Sequence, residues 1–154
     1  MTIAIGDSAP SITLPATGEQ EINIAQLGGQ ALVLYFYPKD STSGCTTEGQ
    51  NFRDHIAAFS QHNCLILGVS RDGIRSHENF KAKQAFPFDL LSDREETLCK
   101  AFDVIKEKKL YGKVSMGIER STFLFDGSGK LVKAWRKVKV KGHVDEVLAA
   151  VEAL

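Results

Sequence analysis

The stretch that most restricts the fold is Ala31-Leu-Val-Leu-Tyr-Phe-Tyr37, seven consecutive apolar or aromatic residues between Gly28-Gly29 and Pro38. Aromatic and branched side chains at this density suit a pleated strand. With no polar alternation, both faces of that strand must be covered, which puts it at the centre of a sheet with helices on either side. The chain can supply such a core: 154 residues, 43% hydrophobic and 25% charged, are ordinary for a globular protein. We expect a single domain over residues 1–154.

The flanking segments extend this plan. Pro10 and Pro15 break any helix, Ile12–Leu14 reads as a short edge strand, and Glu21–Ile24 alternates with period two after a Thr17-Gly18 turn. Together these make an N-terminal β extension. Beyond the polar loop Pro38–Thr42, the spacing of Phe52, Ile56 and Phe59 predicts one helix over Ser43–Gln61. Cys64–Val69 is a second buried strand. Ser76–Ala85 is expected to be helical with Ser76 as N-cap, Pro87 ends that segment, and Phe88–Leu91 is a short strand. A helix from Asp93 carries Leu98, Ala101 and Phe102. Lys106–Gly117 is polar and aperiodic and is expected to be a surface loop. Ser121–Phe125, the turn Asp126–Gly129 and Leu131–Val138 form a hairpin, with Arg136, Lys137, Lys139 and Lys141 on its solvated side. Gly142-His143 opens a last helix whose Val144, Val147, Leu148 and Val151 face inward. The fold class is α/β: a central mixed sheet with helices on both faces.

Several functions are disfavoured. Nineteen basic and nineteen acidic residues cancel, so no nucleic-acid or anionic-membrane partner is indicated. No run of about 18 apolar residues and no leader-like N-terminus occurs. Three irregularly spaced cysteines do not form a secreted disulfide framework, so a reducing cytoplasm is expected. His55, His62, His77 and His143 lack ligand spacing and no Cys-x-x-Cys is present, so no metal is expected.

The chemistry concentrates on Cys45. It follows Gly44 and precedes Thr46-Thr47-Glu48, in the first turn of a helix that leaves a buried strand. Free N–H groups and the positive end of the helix dipole favour an anion there. Cys64 opens an apolar strand and Cys99 lies beside Leu98, as packed thiols do. His55, ten residues further along the same helix, is about 15 Å of rise away, so Cys45 has no local histidine base.

Pro38-Lys-Asp-Ser-Thr42-Ser-Gly-Cys45 fits the peroxiredoxin pattern Pro-x-x-x-Thr-x-x-Cys. With Tyr-Phe-Tyr before it, Phe52-Arg-Asp after it, Gly68-Val-Ser-Arg-Asp72 and Glu119-Arg-Ser-Thr-Phe-Leu124, nearly the whole chain resembles the Q-type branch, the bacterioferritin comigratory proteins. The resemblance implies a thioredoxin-like fold and a thiol peroxidase without cofactor. In it Cys45 attacks a peroxide and becomes a sulfenic acid. Thr42 hydrogen-bonds the peroxide, Pro38 shields the pocket, Arg120 reaches over from a distant strand, and Glu48, with Gly44 beside the cysteine, supports that arginine.

The departures from the family pattern bear on recycling. Gln50 and Lys81 occupy the two usual positions of a resolving cysteine, and Ser43 stands where proline is common. The resemblance therefore implies one-cysteine turnover with an external thiol (thioredoxin, glutaredoxin or glutathione), the alternative being resolution by Cys99 or Cys64. A monomer is expected, a weak homodimer being the other state. Two rivals stand beside this reading: a non-catalytic thioredoxin-fold binding module, and a thiol–disulfide oxidoreductase, which the missing Cys-x-x-Cys opposes.

Ionising the thiol explains only part of such catalysis. A free thiol of pKa ~8.5 is about 3% thiolate at pH 7, and lowering the pKa to ~6.5 gives roughly 75%. That is a gain of about 25-fold, in a thiolate that is also a weaker nucleophile. The larger part is expected from donors aimed at the charge that passes to the departing oxygen, Arg120 foremost.

Overall fold

The computed structural model describes residues 2–154. The N-terminal extension is an antiparallel pair, β1 (Thr13–Ala16) and β2 (Gln20–Asn23). The apolar run forms β3 (Ala31–Phe36), with all its residues buried. Next come α1 (Ser43–Asp54), α2 (Ile56–Gln61), β4 (Cys64–Ser70), α3 (Ile74–Gln84), β5 (Asp89–Ser92) and α4 (Thr97–Ala101). The rest comprises β6 (Ile105–Leu110), β7 (Lys113–Ile118), β8 (Ser121–Phe125), β9 (Leu131–Trp135) and α5 (His143–Glu152). Seven strands make one sheet in the order β2-β1-β5-β4-β3-β8-β9, while β6 and β7 form a separate hairpin. β3, β4 and β5 run parallel, whereas β8, β9, β1 and β2 join antiparallel, so the sheet is mixed as expected.

Alternation along β3 divides the interior in two. Leu32, Leu34 and Phe36 point into a layer with Leu98, Cys99 and Phe102 from and after α4. Val33 and Tyr35, with Tyr37, point into the opposite layer with Phe52, Phe59, Phe80 and Val147, drawn from α1, α2, α3 and α5. Helices thus cover both faces. Among the described residues no helix is long and apolar enough to cross a membrane.

Several boundaries differ from the sequence expectation, each for a local reason. The first strand runs through Pro15 to Ala16, and the edge position falls to β2. The single helix over Ser43–Gln61 is broken at His55, whose ring Nδ1 donates to Asn51 O at 2.8 Å, taking the carbonyl that a continuing backbone N–H would use. α3 begins at Ile74 after Gly73, so Ser76 is not the cap; its hydroxyl turns to Asp40 instead. The helix expected from Asp93 starts at Thr97, with the Asp93 carboxylate accepting from the backbone N–H groups of Leu98 and Cys99.

Lys106–Gly117 is not a loop but the body of the β6–β7 hairpin. Tyr111 and Gly112 both have positive φ (52° and 76°), as a tight two-residue reversal requires. The hairpin stands largely in solvent, with Tyr111, Val114 and Met116 exposed, so no apolar period marks its strands. β9 ends at Trp135, so the basic run lies beyond the sheet. Arg136 leaves the strand to donate to Phe102 O and Asp103 O behind α4.

Gly49, buried on α1, lies against Phe86: a Cβ there would fall 2.7 Å from the ring Cε1. Phe86 cannot move aside, because it stacks on Phe88 and meets Phe80 edge-on, each at 5.0 Å between centroids. Replacing a helix glycine by alanine ordinarily stabilises by about 1 kcal/mol. Here Gly49→Ala should destabilise by about 1–3 kcal/mol in urea unfolding. A neutral or stabilising result would contradict this packing.

Candidate active site

The register of the sheet brings distant residues to one edge. Phe36, the last residue of β3, pairs with Val69 on one side and Ser121 on the other. The chain leaving β3 at Tyr37 and the residue entering β8, Arg120, therefore emerge together at the C-terminal end of the parallel strands. α1 starts just past that edge. Thr42 is its N-cap residue, in extended conformation, and Cys45 lies in its first turn, 2% exposed.

Arg120 Nη2 lies 3.4 Å from Cys45 Sγ, and Nη1 donates to Glu48 Oε1 at 2.6 Å. Gly44 admits the guanidinium, since a Cβ at that position would stand 3.1 Å from Nη2. Cys45, Glu48, Arg120 and Gly44, all named from the sequence, thus meet. Burial of Glu48 pushes its carboxyl up to about 7, with the Arg120 charge offsetting part of that rise. Glu48 Oε2 and Tyr35 Oη, both at this site, are the buried side-chain oxygens that lack a partner among the described residues. Burial first, then the charges of Glu48 and Cys45, holds the Tyr35 phenol far above its ordinary range and so neutral. In sequence Tyr35 reads only as a core residue.

Thr42 is exposed, and its hydroxyl donates to Lys39 O at 2.8 Å. With its hydrogen committed, Oγ1 is left to accept from an incoming donor. Pro38 is half-buried directly after Tyr37. A second cation, missed because its segment read as a loop, lies close by. The stem of Lys108 crosses Gly117, and its ammonium is pushed below its usual range by partial burial, then by the nearby Arg120 and Arg71 charges.

The other two cysteines are not brought to Cys45. Cys64 pairs with Ala31 at the opposite end of β3, a strand length of roughly 17–20 Å away, whereas a disulfide needs Cα atoms within about 7 Å. Burial pushes its thiol up to about 12. Cys99 lies in the other core layer, across the sheet, its thiol raised further by burial and by Asp93. Gln50 and Lys81 are engaged in the framework: Gln50 Nε2 donates to Gln84 Oε1 at 2.9 Å, and Lys81 Nζ to Asp89 Oδ1 at 2.7 Å.

One cluster has the composition of a metal site: Asp40, Asp72 and His77 place their donor atoms within 4.8 Å of one another. Those atoms are already engaged. Asp40 accepts from Tyr37 and Ser76, Asp72 from Ser70 and the Asp40 N–H, and His77 binds Asp40 and the Leu91 carbonyl. The arrangement is a hydrogen-bond network rather than a set of free ligands.

The buried Glu48 gives a pH signature. Because its folded-state pKa is raised, its contribution to stability is full below the unfolded value of 4.5 and is lost as the pH climbs through about 7. Between about pH 4 and pH 8 the wild type should lose about 3 kcal/mol relative to Glu48→Gln. Denaturant unfolding of both proteins across that range checks this, and a constant difference would contradict it.

Comparison with known proteins agrees with this geometry. Residues 5–134 match the AhpC/TSA family. Peroxiredoxin Bcp of Xanthomonas campestris is 56% identical over 92% of this chain and 89% of its own, and that of Bacillus subtilis 51% identical over 96% and 94%. The solved structure of a cysteine-to-serine variant of Xylella fastidiosa PrxQ superposes with a TM-score of 0.93 at 47% identity, covering 99% of this chain and 98% of that one. The sheet with its two helical layers is thus the thioredoxin-like fold of peroxiredoxins. The chain belongs to the AhpC/TSA family, on its peroxiredoxin Bcp or Q branch, and is a thiol peroxidase.

Proposed function

We propose that the chain reduces hydrogen peroxide and organic hydroperoxides through Cys45 and is recycled by an external thiol. The observation that carries this is the guanidinium of Arg120, 3.4 Å from a cysteine sulfur at a helix N-terminus and held from behind by Glu48. The Cys45 thiolate attacks the terminal peroxide oxygen. A sulfur–oxygen bond forms as the oxygen–oxygen bond breaks, sulfur is oxidised to the sulfenic acid, and the departing oxygen leaves as water or alcohol after gaining a proton. Thr42 Oγ1 accepts the peroxide hydrogen and orients the attack. Arg120 and the N–H groups of the first turn of α1 stabilise the negative charge spreading onto the departing oxygen. Pro38 limits water at the mouth. All these groups come from one chain, which supports a monomer as the working unit.

An incoming thiol then attacks the sulfenic sulfur, releasing water and leaving a mixed disulfide that a second thiol reduces. Three observations favour an outside donor: Gln50 and Lys81 are tied into the framework, Cys64 lies at the far end of the sheet, and Cys99 lies across it. The Xanthomonas campestris peroxiredoxin Q has been solved as serine variants of two different cysteines, as far apart in that chain as Cys45 and Lys81 are here. Thioredoxin, glutaredoxin and glutathione are the donor classes that fit.

Intact mass after one equivalent of hydrogen peroxide tests the recycling route. A gain of one oxygen, absent from Cys45→Ser, is expected; a loss of two hydrogens would reveal an internal disulfide and overturn the one-cysteine reading. Peroxide consumption by Cys45→Ser should be abolished, and retention of more than a few per cent of the wild-type rate would overturn the assignment of Cys45.

A further inference from the structure

Five residues before Cys45, a buried polar network holds the loop that leads into α1. Asp40 is 5% exposed, and its carboxylate takes three contacts from two directions. Tyr37 Oη donates to Oδ1 at 2.6 Å, Ser76 Oγ donates to Oδ2 at 2.8 Å, and His77 Nδ1 lies 2.7 Å from Oδ2. The Asp40 N–H in turn donates to Asp72 Oδ2 at 2.9 Å. His77 is fully buried, and its Nε2 lies 2.8 Å from Leu91 O. A carbonyl oxygen only accepts, so Nε2 carries a hydrogen, and one further proton lies between Nδ1 and the carboxylate. The loop is therefore clamped by α3 and, through Leu91 O, by β5.

The turn beyond Asp40 needs a clamp. Ser41 has φ +62°, a left-handed conformation that is unfavourable for a residue with a side chain. Thr42 then turns back so that its hydroxyl reaches Lys39 O. Within the turn the Thr42 hydroxyl bonds Lys39 O, and the contacts of Asp40 with Ser76 and His77 fix the turn to α3 from outside. Backbone strain of this kind persists where surrounding contacts over-determine it.

We propose that Asp40, clamped by His77 and Ser76, is a positioning residue for peroxide reduction: it holds the loop so that Thr42 Oγ1 is aimed at the bound peroxide. This rests on the peroxidase reading of Cys45 and Thr42. Asp40 touches neither substrate nor sulfur and acts through the geometry of the turn. Misplacement of a catalytic group by a fraction of an ångström to 1 Å lowers rates by up to about 100-fold, and loosening rather than removing the turn should cost roughly 10-fold.

A double-mutant cycle separates positioning from plain stability. The second-order rate of the reduced protein with hydrogen peroxide would be followed by stopped-flow tryptophan fluorescence in the wild type, Asp40→Asn, Thr42→Val and the double variant. We expect Asp40→Asn to lose roughly 10-fold, Thr42→Val to lose more, and the double variant to be within about 3-fold of Thr42→Val. Independent losses that multiply, or an unchanged rate in Asp40→Asn, would overturn the proposal. Should Asp40→Asn fail to fold, Ser76→Ala removes one clamp donor and should give a smaller loss that likewise vanishes in the Thr42→Val background. Val151→Ala weakens the same core layer from the last turn of α5, outside the clamp, so it should lower the melting temperature and leave the rate within about 2-fold; a loss matching that of Asp40→Asn would make the effect one of stability alone. If wild type and Thr42→Val alike fail to react while Cys45 still alkylates, it is the peroxidase reading that fails.

Discussion

The site depends on one contact between residues 75 positions apart, the Arg120 guanidinium against the Cys45 sulfur. The central strand, its antiparallel neighbour and the first helix together make that contact. The β3–β8 register sets Arg120 beside the exit of the central strand, and α1 begins just beyond it. Gly44 leaves room for the guanidinium, and Glu48, one helical turn past the sulfur, holds it from behind. Glu48 costs something to keep, because its carboxylate is wholly buried with one oxygen unpartnered. A buried polar atom of this kind is tolerated where function requires the arrangement.

The same contact sorts the three cysteines. Cys45 is the one with a cation beside it, whereas burial pushes the thiols of Cys64 and Cys99 up and keeps them protonated. A protonated thiol is a poor nucleophile toward a sulfenic acid. The framework adds to this, because Gln50–Gln84 and Arg53–Gln84 links tie α1 to α3, and Lys81–Asp89 ties α3 to β5. These links hold α1 to α3 and α3 to β5, and they support the proposal that an outside thiol resolves the sulfenic acid.

Much of this was legible in the residues. Ala31–Tyr37 identified the central strand because its side chains leave no polar face, and Cys45 stood out because its neighbours are small and polar beyond that strand. Arg120, Glu48, Thr42 and Pro38 were reached only through family resemblance, since no local pattern links Arg120 to a cysteine on another element. The β6–β7 hairpin is not legible from periodicity because exposed strands carry no apolar period; its Tyr111-Gly112 reversal is the available signal. The partnership of Asp40 with His77 was invisible for a different reason. It joins a loop to a helix 37 residues later, and in sequence each reads as an ordinary polar residue.

The central claim is that Arg120 acts on the transition state, beyond favouring ionisation of the sulfur. Its most direct test compares two reactions of reduced Cys45 in wild type and Arg120→Gln: hydrogen peroxide reduction by stopped flow, and alkylation by iodoacetamide, which needs the thiolate but transfers no charge to an oxygen. We expect the peroxide rate constant to fall roughly 100-fold or more, and alkylation to fall less than about 10-fold. Equal losses in the two reactions would contradict the claim and reduce Arg120 to a device for ionising the thiol.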